Sequence, residues 1–250
     1  MEPQPRVARG GRYNVHMTAS APPSAPALVS DLQNIFGDRL RAVVAYGPQL
    51  EGQSAARMTS LALVTTLTAA DLEACAGVAA RWARAGVNTP LLLPEDEFRG
   101  SLDAFPLEYG EIIRTHVVLF GQNPFAGIAI APQDLRRACE TQVKSHLVHL
   151  RQGFVETRGA PAAIGELVRA AAPAFAALLR NVARLGDVNT SDRLEATRAG
   201  ARVAGIGDDV VAEVLAIEGA PSGPMSDDAR FFVRYLAAVE QLARAVDTWQ

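Results

Sequence analysis

The apolar positions of this chain change period once, near Pro132, and the change divides the sequence into two kinds of structure. From Ala25 onward, Leu28, Leu32, Ile35 and Phe36 recur at helical spacing, and Gly37 ends that helix. Two short runs rich in apolar and β-branched residues, Arg41 to Tyr46 and Leu61 to Thr66, predict strands. Between them a polar stretch begins at Gly47-Pro48. Thr68, with Asp71 three residues on, has the form of a helix cap. Leu72, Cys75, Ala79 and Trp82 are expected on the inner face of that helix, which Gly86 stops. A third strand is expected at Thr89 to Leu93. A short helix then opens on Pro94-Glu95-Asp96-Glu97, where a proline and acids suit a first turn. The stretch FPLEYGEIIRTHVVLF, 105–120, predicts one or two further strands with room for a helical piece, closed by Gly121.

After Pro132 only helical periodicity remains. Leu135, Cys139, Val143, Leu147, Leu150 and Phe154 form one long apolar face. Four more helices are expected near 161–185, 190–205, 208–219 and 225–248. Gly186-Asp187, Gly205-Ile206-Gly207 and Pro221-Ser222-Gly223-Pro224 separate them. Strands first and helices afterwards predict an α+β chain of two domains, a small mixed-sheet domain at 25–130 and a helical bundle at 131–250. Residues 1–24, rich in Gly, Pro, Ser and Arg, read as a disordered tail, in which Met17 offers an alternative start.

Composition narrows the chemistry. A chain of 250 residues with 49% hydrophobic content can bury a real core. The net charge of −3 is spread evenly, which argues against a nucleic-acid partner. Cys75 and Cys139 match no metal or redox spacing and fall on helix faces as small apolar residues. No uncharged apolar run reaches 18 residues and the N-terminus lacks an apolar signal core. The expectation is therefore a cytoplasmic chain without a membrane span. Lys144 is the single lysine, so any lysine-dependent chemistry falls to it.

The element order, the strand end Tyr46-Gly47, and the segments FPLEYGEI (105–112), VVLFGQNPFAGI (117–128) and LRRACETQVKSHLVHLRQGF (135–154) resemble a known family. It is the bacterial nucleotidyltransferase-fold proteins in which a minimal catalytic domain precedes a helical domain, and the resemblance spans residues 25–160. The resemblance implies a Gly-Ser turn that holds a nucleotide triphosphate. It also implies an Asp-x-Asp pair that binds two divalent metals, with a third carboxylate from a later strand. Gly47 matches the turn. Pro48 stands where the family has serine, removing a hydroxyl and a backbone N–H. Laying the family's strand over Arg57 to Val64 puts Met58 and Ser60 at the two aspartates, and a shift by one puts Thr59 and Leu61 there. Residues 52–70 hold no Asp or Glu. Only Glu51, in the turn, and Glu108, assigned to a strand at the third carboxylate, remain. No catalytic residue, metal ligand or cofactor is therefore expected.

Helical domains attached to such folds include the HEPN ribonucleases, marked by an Arg followed four to six residues later by a His. The last four helices here have no histidine, and Arg137 precedes His146 by nine residues, outside that spacing. His146 and His149 stand i,i+3 on one helix, with no third metal ligand evident nearby. Arg137, Lys144 and Arg151, beside these histidines, are candidates for binding a nucleotide or other anion together with Gly47. The bland alternative is a solvated helix face with a Glu140–Lys144 pair. The expected function is a catalytically degenerate nucleotidyltransferase-like protein that binds a nucleotide, another anion or a protein partner. The alternatives are an active nucleotidyltransferase with an altered metal site and an antitoxin-like interaction module.

Overall fold

The computed structural model describes residues 21–47, 49–50, 56–186, 188, 190, 192–219 and 228–249. The stretch up to residue 20 with Met17, together with Pro48, Glu51 and residues 221–224, lies outside these described residues. The chain forms two compact units. The first comprises the described residues up to Phe98 and Glu111–Ile128. The second comprises Arg99–Gly110 and the described residues from Ala129 onward.

The first unit is built on a four-stranded sheet. Its strands are β1 (Leu40–Tyr46), β2 (Thr59–Val64), β3 (Leu91–Pro94) and β4 (His116–Gly121), in the order β3-β2-β1-β4. β1 runs antiparallel to β2 and β4, while β2 and β3 are parallel, so the sheet is mixed. Tyr46, the last residue of β1, lies opposite both Thr59 and His116, the first residues of their strands. One end of the sheet therefore gathers the turn at Gly47 and the starts of β2 and β4. Val43, Ala45, Met58, Ala62 and Val64 pack with Leu28, Leu32 and Phe36 of helix α1 (Ala25–Phe36) and with Cys75 and Trp82 of helix α2 (Ala69–Arg84). At its other end β4 closes at Gly121, whose φ is +76° and where a Cβ would overlap the carbonyl of Arg41.

The expected cap of α2 is present. The Thr68 side chain accepts from the Asp71 N–H, and the Asp71 carboxylate accepts from the Thr68 N–H. Asp71 also accepts two hydrogen bonds of 2.7 Å from Arg39. Leu72, expected on the inner face, is 49% exposed. The inner stripe runs through Asp71, Cys75, Val78 and Trp82, so the capping carboxylate takes the inward place and Leu72 falls beside it. Pro94 ends β3 opposite Val64 instead of opening the next helix, α3 (Glu95–Gly100). Of the stretch 105–120, the second part is a single strand, β4, and the first is the helical piece, α4 (Pro106–Arg114). A proline at its start and Glu108 in its first turn are ordinary helix-start chemistry, and the short apolar run does not by itself separate the two readings.

The second unit is helical. Beyond Pro106–Gly110, the first part of α4, it contains α5 (Pro132–Glu156), α6 (Pro161–Leu185), α7 (Arg193–Val203), α8 (Asp208–Gly219) and α9 (Asp228–Asp247), with no strand among the described residues after Pro132. α6 is the central helix and packs on α5, α7, α8 and α9. It is long and apolar enough to cross a membrane by length and composition. Here its Val168, Phe175, Leu179 and Val182 are buried with Phe231, Tyr235 and Leu242 of α9. α7 approaches it so closely at Gly200 that a Cβ there would overlap the Leu179 carbonyl. Both cysteines are buried and free, and burial pushes the Cys139 thiol up to about 12.

Candidate functional site

The site begins where β1 stops. Gly47 has φ +88°, which few other residues adopt, and its carbonyl accepts from Leu50 N–H at 3.0 Å, closing a tight turn. Across from the turn, Thr59 Oγ1 accepts from the Asn88 side chain at 3.2 Å.

The two positions laid over the family's aspartates turn away from solvent. Met58 is 1% exposed and Ser60 is 0% exposed. Met58 belongs to the layer of α1 and α2 residues, and its sulfur accepts from Ser24 Oγ at 3.8 Å. Ser60 lies on the same side of β2, opposite Ala45, and its Oγ has no hydrogen-bond partner. The shifted register fares no better, because Leu61 is fully buried and Thr59 carries only a hydroxyl. Glu108 stands on α4 with an exposed side chain, not on a strand, which corrects its placement as a strand carboxylate. Among the described residues no group of three His, Cys, Asp or Glu side chains could hold a metal ion. A divalent cation needs hard oxygen ligands, and the described residues of β2 supply no carboxylate for the two-metal centre that the resemblance implies.

His116 belongs to no motif in the sequence, and only the fold places it at the site. It starts β4 beside Tyr46, with Nδ1 at 3.1 Å from the Ile112 carbonyl and 3.0 Å from the Ile113 carbonyl. Two carbonyls can only accept, so Nδ1 carries the proton. The ring meets Phe125 edge-on at 4.7 Å. At the other end of β2 an open cleft of about 440 Å³ is lined by Thr65, Thr66, Leu67, Pro94, Asp96 and Glu97. Its two carboxylates repel a phosphate.

Two of the three candidate cations of the helical unit, Lys144 and Arg151, are tied down within it. Lys144 Nζ lies 2.6 Å from Glu140 and 2.8 Å from Asp247, and these acids raise its pKa. Arg151 pairs with Glu240 at 2.6 Å. Arg137 lies 3.9 Å from Asp134 and is otherwise exposed. A phosphate would have to displace two carboxylates to reach the ammonium. Lys144 and Arg151 thus link α5 to α9. His146 is half-buried, its Nε2 3.0 Å from the Tyr235 hydroxyl.

A solved structure of similar fold sets this geometry in context. It is a spectinomycin adenyltransferase, AAD(9), from Enterococcus faecialis with ATP and spectinomycin. The likeness has a TM-score of 0.52 at 12% identity and covers 90% of this chain and 99% of that chain. The chain has a nucleotidyltransferase-like fold. A small mixed sheet carries the Gly47 turn, and a helical domain follows. No family model matches the chain, and no curated protein does. At this identity the likeness establishes the fold alone.

Proposed function

We propose that this protein keeps the nucleotidyltransferase fold without metal-dependent nucleotidyl transfer and acts by binding. The observation that carries the proposal is the orientation of Met58 and Ser60, both buried under α1 and α2 at the positions where paired carboxylates would be needed. A triphosphate brings about four negative charges, and transfer depends on cations fixed against them. Neither register of β2 supplies a carboxylate to fix them. Of the candidate partners, a protein suits the helical unit better than an anion. Lys144 and Arg151 are engaged by acids, while Val148, Val155 and Val233 stand exposed on α5 and α9.

The test is incubation with each α-labelled nucleoside triphosphate, with and without Mn²⁺. Spectinomycin and a cell extract serve as separate acceptors. No metal-dependent label transfer is expected. Transfer that survives purification and is abolished by Glu108→Ala would overturn the proposal in favour of an altered-site enzyme. Calorimetry with ATP in the absence of metal separates nucleotide binding at the Gly47 turn from a purely protein-directed role.

A further inference from the structure

The helical unit holds one histidine inside its packing. His146 sits on α5, its ring stacked on Phe175 of α6 with centroids 6.2 Å apart and planes 18° apart. Its Nε2 meets the hydroxyl of Tyr235 on α9 at 3.0 Å. Tyr235 is fully buried and also packs edge-on against Phe175, with centroids 5.2 Å apart. Three helices therefore meet at one imidazole. Burial pushes the Tyr235 phenol well above its ordinary range. It stays protonated, and His146 is its hydrogen-bond partner among the described residues, so its buried O–H is satisfied only by donating to Nε2, which selects the neutral tautomer with the proton on Nδ1.

We propose that His146 is a pH-sensitive latch of the helical unit: neutral, it joins α5 to α9 by accepting from Tyr235, and protonation below neutral pH loosens that junction. A charged imidazolium loses hydration among Phe175 and Tyr235, and its Nε2 becomes a donor, which forces the tyrosine hydroxyl to reverse. The surrounding charges do not compensate. His149, on the same helix, opposes a second positive charge. Glu140 and Asp247 are engaged by Lys144, and Glu240 by Arg151. α6 presents Phe175 to the ring. No carboxylate among the described residues lies within ion-pair distance of His146. Burial, first, and His149, second, hold its pKa below the ordinary histidine value.

The sign of the effect follows. A folded-state pKa below the unfolded one makes the unfolded chain bind the proton first. Stability is full above the unfolded histidine pKa of about 6.5 and declines as pH falls below it, until the folded pKa is reached. One proton changes the folded-to-unfolded ratio by at most about tenfold per pH unit. Carboxylates titrate mainly lower, so the window from about pH 7.5 to 5.5 isolates histidines.

The experiment has two arms on the full chain. Proton NMR of the imidazole resonances follows His146, assigned through His146→Gln. The expected result is a midpoint below the ordinary histidine value of about 6.5. An ordinary or raised midpoint overturns the proposal, and it is read on the parent protein, the variant serving only to assign the resonance. Helix unfolding in urea is then compared across the same window for the parent, His146→Gln and His149→Gln. The decline toward acid is expected to vanish in the first variant and to persist in the second. A decline unchanged in His146→Gln overturns the proposal.

Discussion

Replacing Ser60 with aspartate tests directly whether a carboxylate can be returned to this sheet. Ser60 is 0% exposed, faces the layer of Met58, Ala62 and Val64, and already lacks a hydrogen-bond partner. A carboxylate there has no cation to pair with and loses its water. Buried acids without partners shift upward by roughly 3–5 pKa units. At about 1.36 kcal/mol per unit, Ser60→Asp costs roughly 4 kcal/mol at neutral pH, rising to as much as about 7 kcal/mol only once the pH passes the shifted pKa. That is comparable with the whole stability of a domain, about 5–15 kcal/mol. The loss carries a pH signature. The folded-state pKa is raised above the unfolded value of about 3.9, so the deficit grows as pH rises from there to the shifted pKa. The variant should be more stable at about pH 5 than at about pH 8. Urea unfolding read by the buried Trp82, in a Trp249→Phe background, measures this at each pH, with and without Mn²⁺. A variant as stable as its parent, and further stabilised by Mn²⁺, would refute the reasoning. Ser60 would then stand at a hydrated, metal-competent position, and the absence of transfer would need another explanation.

Ser60→Ala removes a hydroxyl without a partner and should leave the protein unchanged or stabilise it by up to about 1 kcal/mol in the same assay; a clear loss would reveal an unrecognised bond. Gly200→Ala places a Cβ against the Leu179 carbonyl, and overpacking of about 1–3 kcal/mol should outweigh the roughly 1 kcal/mol gained in helix propensity, lowering the thermal midpoint of the helical signal. Arg39, and then the Thr68 hydroxyl and N–H, hold the Asp71 carboxyl well below its usual range. Its contribution is present above the unfolded carboxylate pKa of about 3.9 and is lost as pH falls. Asp71→Asn should therefore destabilise the protein at neutral pH and flatten the acid limb of a urea-midpoint profile, and an unchanged limb would contradict the pairing.

The sequence by itself determined the helices after Pro132, the first two strands and the Thr68–Asp71 cap. Each rests on signals within a few residues of one another: a 3.6-residue apolar period, a breaker, a side chain reaching its own backbone. It also determined that no carboxylate lies between 52 and 70, because that is a matter of composition. The tertiary structure decided the rest. Residues 106–114 are too short a run for periodicity to separate helix from strand, and packing made them a helix. The inward face of α2 went to Asp71 because Arg39, 32 positions earlier, supplies its partner. The charge on Lys144 is met by Asp247, and the ring of His146 by Tyr235, each across a span of chain that no local pattern covers. Whether Met58 and Ser60 or their neighbours turn toward α1 and α2 depended on register. Side chains alternate along a strand, so a slip of one residue exchanges the face under α1 and α2 with the opposite face, and only the pairing of β2 with β1 selects between them.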